Sequence, residues 1–434
     1  MSFRLCVFAA CLGLTALSGP AQAQWLYGRL VPGAGVQSDG ASDAVDVSAD
    51  GRTVVFSSSA TNWVGPPVVL VDKAVAVDLD TGLVEVVSRT AAGVMVRGES
   101  PVTSRDGRYV AFLHHGGSLD VGVPHANWQV ARKDRITGQV HLVSANLSGE
   151  AANAHVNDDW VAISGDGRYV AFEATSTNLG VTMPPGGYNQ VFVKDVDTGQ
   201  IRLASATAAG VPAEYGCSIR ANAMSDNGRY VAMICDKPLI PGERSGQAYV
   251  RDMVTNTVEM VSRASGASGT SSTAFAARAA ISADARFVSF QTRCYGGIGG
   301  DCVNNSGVFL RDRQTHTTIP IPRPAVVDVD ACGVSDVSNI GTVLMACQLS
   351  GRTQVFMHLP GAAGTPFLVS DTAVGNPGNG ASGTSLAMNA NGLSMVFESF
   401  ASDLAPGDTN NASDVFLLLD ESVVSEIFSD EFEN

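Results

Sequence analysis

The motifs that announce common enzyme chemistry are missing from this sequence. No Gly-x-Ser-x-Gly elbow occurs; the near misses Gly266-Ala-Ser268-Gly269 and Gly380-Ala-Ser382-Gly383 lack the spacing. There is no His-Glu-x-x-His, no Gly-x-x-x-x-Gly-Lys and no Cys-x-x-Cys, so zinc peptidase, P-loop and dithiol chemistry have no sequence anchor. Long apolar runs are also lacking. The longest, residues 5–17, has 13 residues, where a membrane-spanning helix needs about 20. Basic residues are scarce, 27 Lys and Arg against 42 Asp and Glu, a net charge of −15. That charge repels nucleic acid and anionic lipid and argues against both as main partners.

The short apolar run has the make-up of an export signal. Arg4 precedes it, Ser18-Gly19-Pro20 breaks it, and Ala21-Gln22-Ala23 offers the small-x-small pattern of signal peptidase sites. Cleavage after Ala23 would release 411 residues carrying a formal charge of −16. With no cysteine at a lipoprotein position, the expected product is soluble, monomeric, and periplasmic or secreted.

Six cysteines follow that site, an even number, which in an exported chain points to disulfides. Spacing around the repeat described next suggests Cys217–Cys235 and Cys332–Cys347, each linking two arms of a hairpin. Cys294–Cys302 would close a small loop.

What the sequence does have is a repeat. Ser48-Ala-Asp50-Gly51-Arg-Thr-Val-Val-Phe56 returns as Ser104-Arg-Asp106-Gly107-Arg-Tyr-Val-Ala-Phe112 and Ser164-Gly-Asp166-Gly167-Arg-Tyr-Val-Ala-Phe172. Decaying copies begin at Ser225, Ser282, Ser338 and Asn389, at intervals of 56, 60, 61, 57, 56 and 51 residues. Asp-Gly between apolar runs is a hairpin turn, and the continuous apolar run after it suits a strand buried on both faces. A second turn follows: Asp78-x-x-Thr81-Gly82, Asp134-x-x-Thr137-Gly138, Asp195-x-x-Thr198-Gly199, Asp252-x-x-Thr255-Asn256, Asp312-x-x-Thr315-His316. Each unit is therefore a four-stranded antiparallel meander. The expectation is an all-β fold, a single seven-bladed β-propeller over residues 24–420, with an acidic tail at 421–434. Arg29 lies 19 residues before Ser48, as Arg263 lies 19 before Ser282, so Leu26-Tyr-Gly-Arg29 fits the pattern of Met260-Val-Ser-Arg263, the end of a fourth strand. With no blade before it, it is expected to close the ring on the last blade. Val423–Phe428 competes for that slot.

The phrase Ser-x-Asp-Gly-Arg-Tyr-Val-Ala-Phe, followed by strands such as Gln190-Val-Phe-Val-Lys-Asp195, resembles the TolB-type repeat, a WD-like bacterial propeller repeat. The resemblance covers residues 25–420, is strongest in the second to fourth copies and is poor in the sixth, where Gly341 follows Asn339-Ile340. It implies an envelope or secreted protein that works by contact. The segment Ile427-Phe-Ser-Asp430-Glu-Phe-Glu433 resembles a short ending of some exported gammaproteobacterial proteins.

No catalytic residue or cofactor is indicated. The metal candidate is calcium at Asp408, Asn410 and Asp414, oxygen side chains at alternating positions, against a plain Asx-rich turn. His114, His115 and His125 could be read as a metal site but lack an acidic or cysteine partner. The long loops 60–72, 114–127, 176–188 and 235–246 should share one face of the ring, with Trp63, Tyr188 and Trp128 as candidate anchors for an unknown protein or glycan. The leading expectation is a non-enzymatic binding or scaffold module. The alternatives are a propeller enzyme, a lyase or glycan hydrolase with its site at the central channel, and a purely structural surface protein.

Overall fold

The computed structural model describes residues 3–7, 10–16, 25–32, 36–64, 71–115, 119, 127–292, 298, 307–326, 328–361 and 364–423. It is an all-β ring of seven blades, each four-stranded and antiparallel. Blade 1 is built from Ser42–Val47, Thr53–Ser58, Lys73–Asp78 and Val84–Val86, and blade 2 from Gly98–Thr103, Tyr109–His115, Trp128–Asp134 and Val140–Leu142. The remaining inner strands are Val156–Ile163, Cys217–Ser218, Ala276–Ile281, Val329–Val337 and Ser382–Met388. Clusters of buried Val, Ala, Phe and Met fill the space between neighbouring sheets, as at Phe172, Phe192, Val130 and Leu113 between blades 2 and 3. The continuous apolar runs are thus strands packed on both faces.

The two turn signatures clasp each other. In blade 2, Ser104 Oγ donates to Asp106 Oδ1 (2.9 Å) and accepts from the Tyr109 amide (2.9 Å). Arg108 then reaches the second turn and binds Asp134 through two nitrogens (3.1 and 2.7 Å), while Asp134 accepts the Ile136 amide. Arg168–Asp195, Arg229–Asp252 and Arg286–Asp312 repeat the pair. The glycine also makes room for the preceding blade. Gly167 has φ +71°, and a Cβ there would lie 2.3 Å from the Tyr109 ring of the preceding blade, so only glycine satisfies both the backbone and the approach.

The N-terminal strand Trp25–Arg29 closes the ring. It pairs antiparallel with Asp414–Asp420 of blade 7, Leu26 opposite Leu419 and Arg29 opposite Phe416. Its register differs from the one read in the sequence by three residues: Arg29 occupies the place of Met260 in blade 4, which faces Tyr249, and not that of Arg263. A fixed offset to the next marker misleads here because the connection leading into blade 1 is shorter than the others. Strands Phe3–Val7 and Ala10–Ala16 continue this sheet outward from Trp25–Arg29. The competing segment lies outside the described residues beyond Val423, as does the acidic ending.

Two of the expected disulfides are formed, Cys217–Cys235 within blade 4 and Cys332–Cys347 within blade 6. Each joins an inner strand to the second strand, at residues directly opposite in the ladder. Cys294 and Cys302 lie outside the described residues.

Candidate functional site

The inner strands surround a central channel whose two ends differ. At the Asp-Gly end the residues just after the markers bond main chain to main chain with the next blade at five of the seven junctions. Arg105 N donates to Gly165 O (2.9 Å), Gly165 N to Asp226 O (2.8 Å), and Asp226 N to Ala283 O (2.8 Å). Asn339 N continues to Ala390 O, and Asp50 N reaches Arg105 O. These bonds draw the ring in to a space of about 80 Å³. Arg105 and Asp226 form an ion pair across it (2.8 Å).

Two buried carboxylates line this narrow part. Asp46 Oδ2 accepts the Thr103 amide of blade 2 (2.8 Å), and Asp336 Oδ2 accepts the Met388 amide of blade 7 (2.8 Å). Burial raises Asp46 to about 7 and Asp336 to about 8; the amide bonds oppose the rise, and the Asp46 charge adds to it at Asp336. Each carboxylate ties its blade to the next, so both act as inter-blade fasteners.

The opposite end opens into a cavity of about 530 Å³ between blades 7, 1, 2 and 3, within the size range of small-ligand sites. It lies at the starts of the inner strands, on the face where second-to-third-strand loops emerge. Asp43, Asp72, Glu99 and Glu398 line it, with Arg97, Trp160, Thr384 and Phe400. The inner strands bulge at this level, between Asp43 and Asp46 and between Glu99 and Val102, with Ala44 and Ser100 each at φ +48°. Such bulges re-aim side chains. Burial, then the charges of Asp72 and Glu99, raise Asp43 to about 6. Burial also raises Glu398 to about 7; bonds from Thr384 and the Ser385 and Ala44 amides oppose the rise, and Asp43 adds to it. Arg97 pairs with Glu99 (2.5 Å) and lies 5.0 Å over the Trp128 ring. Arg220 sits 4.9 Å over Trp160.

Residues singled out in the sequence fall at several places. Tyr188 is partly exposed on the long-loop face and packs against Tyr215, ring centroids 4.6 Å apart. Trp128 stands behind Arg97 near the cavity. Trp63 is buried against Phe56 and presents nothing to solvent. His114 is buried with Nδ1 3.1 Å from Arg97 O, and His125 lies outside the described residues. Asp408, Asn410 and Asp414 do come together, around Arg29 and Gln37. Arg29 contacts Asp414 (3.1 Å) and Asp408 (3.5 Å), Gln37 Nε2 donates to both carboxylates, and Asn410 donates to Ser38 O. The two carboxylates proposed for calcium are thus engaged by the closing segment, while the Asn410 oxygen accepts the Ala412 amide. Among the described residues no group of three or more His, Cys, Asp or Glu is placed to hold a metal ion.

The mouth residues were missed, although a signal exists. Four or five residues before the markers Ser48, Ser104 and Ser164 stand the mouth residues Asp43, Glu99 and Trp160, and Arg220 and Arg278 hold the same place before Ser225 and Ser282 without lining the cavity. Charged residues there interrupt what would otherwise read as a buried inner strand.

No family model and no curated relative matches the sequence. Solved structures do match. The chain is similar to one of two prolyl endopeptidases (13% identity, TM-score 0.53), covering 87% of this chain and 50% of that one. It is similar to the β-propeller domain of the Trilobed protease from Pyrococcus furiosus (9%, TM-score 0.51), covering 83% and 91%. It is also similar to TolB from Acinetobacter baumannii (14%, TM-score 0.41), covering 72% of this chain and 62% of TolB. The chain spans less than two thirds of that TolB and half of the endopeptidase. At these identities the first two likenesses establish the fold, a β-propeller, and nothing about its ligand.

Proposed function

We propose that the protein is an exported, non-enzymatic binding module of the bacterial envelope or exterior, and that it engages its ligand at the long-loop mouth of the ring. The observation that carries this reading is the recessed cavity of about 530 Å³, opposite an end narrowed by main-chain bonds between blades. The export signal and the disulfides fit an oxidising compartment outside the cytoplasm. Cleavage after Ala23 would remove strands Phe3–Val7 and Ala10–Ala16 and leave the closing strand in place.

The test is affinity capture and a glycan array with the chain from residue 24, alongside a Thr384→Trp variant that fills the mouth. A ligand retained by the first and lost by the second supports the reading; equal retention by both would sink it.

One observation favours an enzyme instead. Asp43 and Glu398 are two carboxylates in one cavity, both raised toward neutrality by burial, with the Asp43 charge adding to the rise at Glu398, and such groups gather at catalytic sites. Turnover of a glycan that disappears in Glu398→Gln, with folding intact, would decide for that alternative.

A further inference from the structure

Four carboxylates from three blades enter the mouth cavity: Asp43 and Asp72 of blade 1, Glu99 of blade 2 and Glu398 of blade 7. Arg97 is the single cation among the described lining residues; it pairs with Glu99 (2.5 Å) and Asp72 (3.7 Å) and lies over Trp128, which leaves Asp43 and Glu398 without a cation among them. A ligand-sized space whose lining keeps an excess of negative charge favours a positive guest. The carboxylates are spread around the walls, and among the described residues no three acidic, histidine or cysteine groups gather closely enough for a metal ion. The guest must therefore carry its charge on a larger frame. Trp160 and Phe400 supply apolar surface for that frame, and Phe400 is more than half exposed at the rim.

Resting on the reading of this mouth as a binding site, we propose that it receives an organic cation, a primary amine or guanidinium borne on an aliphatic stem. A free polyamine and the lysine or arginine side chain of a partner protein share this chemistry.

The guest's affinity then follows the charge of the walls. The groups facing Asp43 and Glu398 are Asp72, Glu99 and Arg97, with Thr384 and the Ser385 amide from blade 7. Both carboxylates lose their protons as pH rises through about 6 and about 7. Affinity for a cation therefore increases from pH 5.5 to pH 8.

The test is calorimetric titration of the chain from residue 24 with four probes: spermidine, a short acetylated lysine-bearing peptide, maltotriose and a glutamate-bearing peptide. The expected result is binding of spermidine, the lysine peptide or both. It should weaken about tenfold in Glu99→Gln/Glu398→Gln, as well as in Asp72→Asn, which lies outside the strands, and at pH 5.5. Binding of the lysine peptide alone identifies a protein segment as the source, and binding of spermidine identifies a free amine. Maltotriose or the glutamate peptide binding in place of the cations, and lost in Thr384→Trp, overturns the cation assignment while leaving the binding site. No binding by any probe overturns both.

Discussion

Blades 2 to 5 and blades 6, 7 and 1 build the same meander with different fastenings. In blades 2 to 5 an arginine after the Asp-Gly turn grips the aspartate of the second turn. A second cation, directly before the second-turn aspartate, reaches back to a carbonyl of the preceding blade: Lys133 to Val87 O, Lys194 to Ala145 O, Arg251 to Ala206 O and Arg311 to Ala264 O. At that place blade 6 has His358, blade 7 Leu418 and blade 1 Val77. The departing blades rely on other devices: the Arg29 latch on Asp408 and Asp414, the Asp46 and Asp336 fasteners, and the Cys332–Cys347 bond. The ligand-sized cavity opens where the two groups meet, between departing blades 7 and 1 on one side and blades 2 and 3 on the other. Local agreement with the repeat builds the ring, and the region available for recognition lies where that agreement gives way.

The comparison is broken most severely at the latch. Arg29→Ala leaves two buried carboxylates without their cation, and loss of one partner of a buried pair costs about 3–5 kcal/mol. Urea unfolding of the chain from residue 24 should show it, with blade 7 losing amide protection first. The Cys217–Cys235 bond comes next, because blade 4 has an inner strand of only two residues. It closes a span of 18 residues, and its replacement by two alanines should cost about 3 kcal/mol.

The cation position sharpens the contrast. Arg251 donates to the Ala206 and Thr207 carbonyls, so Arg251→Leu should destabilise by about 1.5–3 kcal/mol in the same assay. The buried Nδ1 of His358 makes no hydrogen bond, and His358→Leu should be neutral or mildly stabilising. Equal losses at both sites would erase the distinction.

The smallest effect is a pH dependence. Asp46 and Asp336 titrate higher in the fold than unfolded, so their contribution to stability is greatest below about pH 4 and is lost as pH rises through about 7 and about 8. Asp46→Asn keeps an oxygen for the Thr103 amide and removes the charge. Thermal melts between pH 5 and 8.5 should show the variant gaining on the natural chain toward high pH, on the order of 1 kcal/mol.

The ring was legible because its determinants are local. Ser-x-Asp-Gly and Asp-x-x-Thr-Gly each fold within a few residues, and their contacts recur with the period. Ring closure was legible as an unpaired fourth strand, but its register was not, since that depends on a ladder between residues 25–29 and 414–420. Loop 408–414 stayed open in the sequence between a calcium site and a plain Asx-rich turn because the partners of its carboxylates, Arg29 and Gln37, lie nearly 400 residues away in sequence. The mouth was hidden for a related reason: its four carboxylates come from three blades, and only the closed ring brings them together.

Amide hydrogen exchange of the chain from residue 24, with and without a saturating amine (spermidine and the lysine-bearing peptide in turn), tests the central claim most directly. The account predicts new protection confined to the mouth, at residues 41–45, 97–101, 383–386 and 398–400, with the Asp-Gly end unchanged. Protection at the Asp-Gly turns of blades 2 to 5 instead, or at no part of the ring, would contradict it.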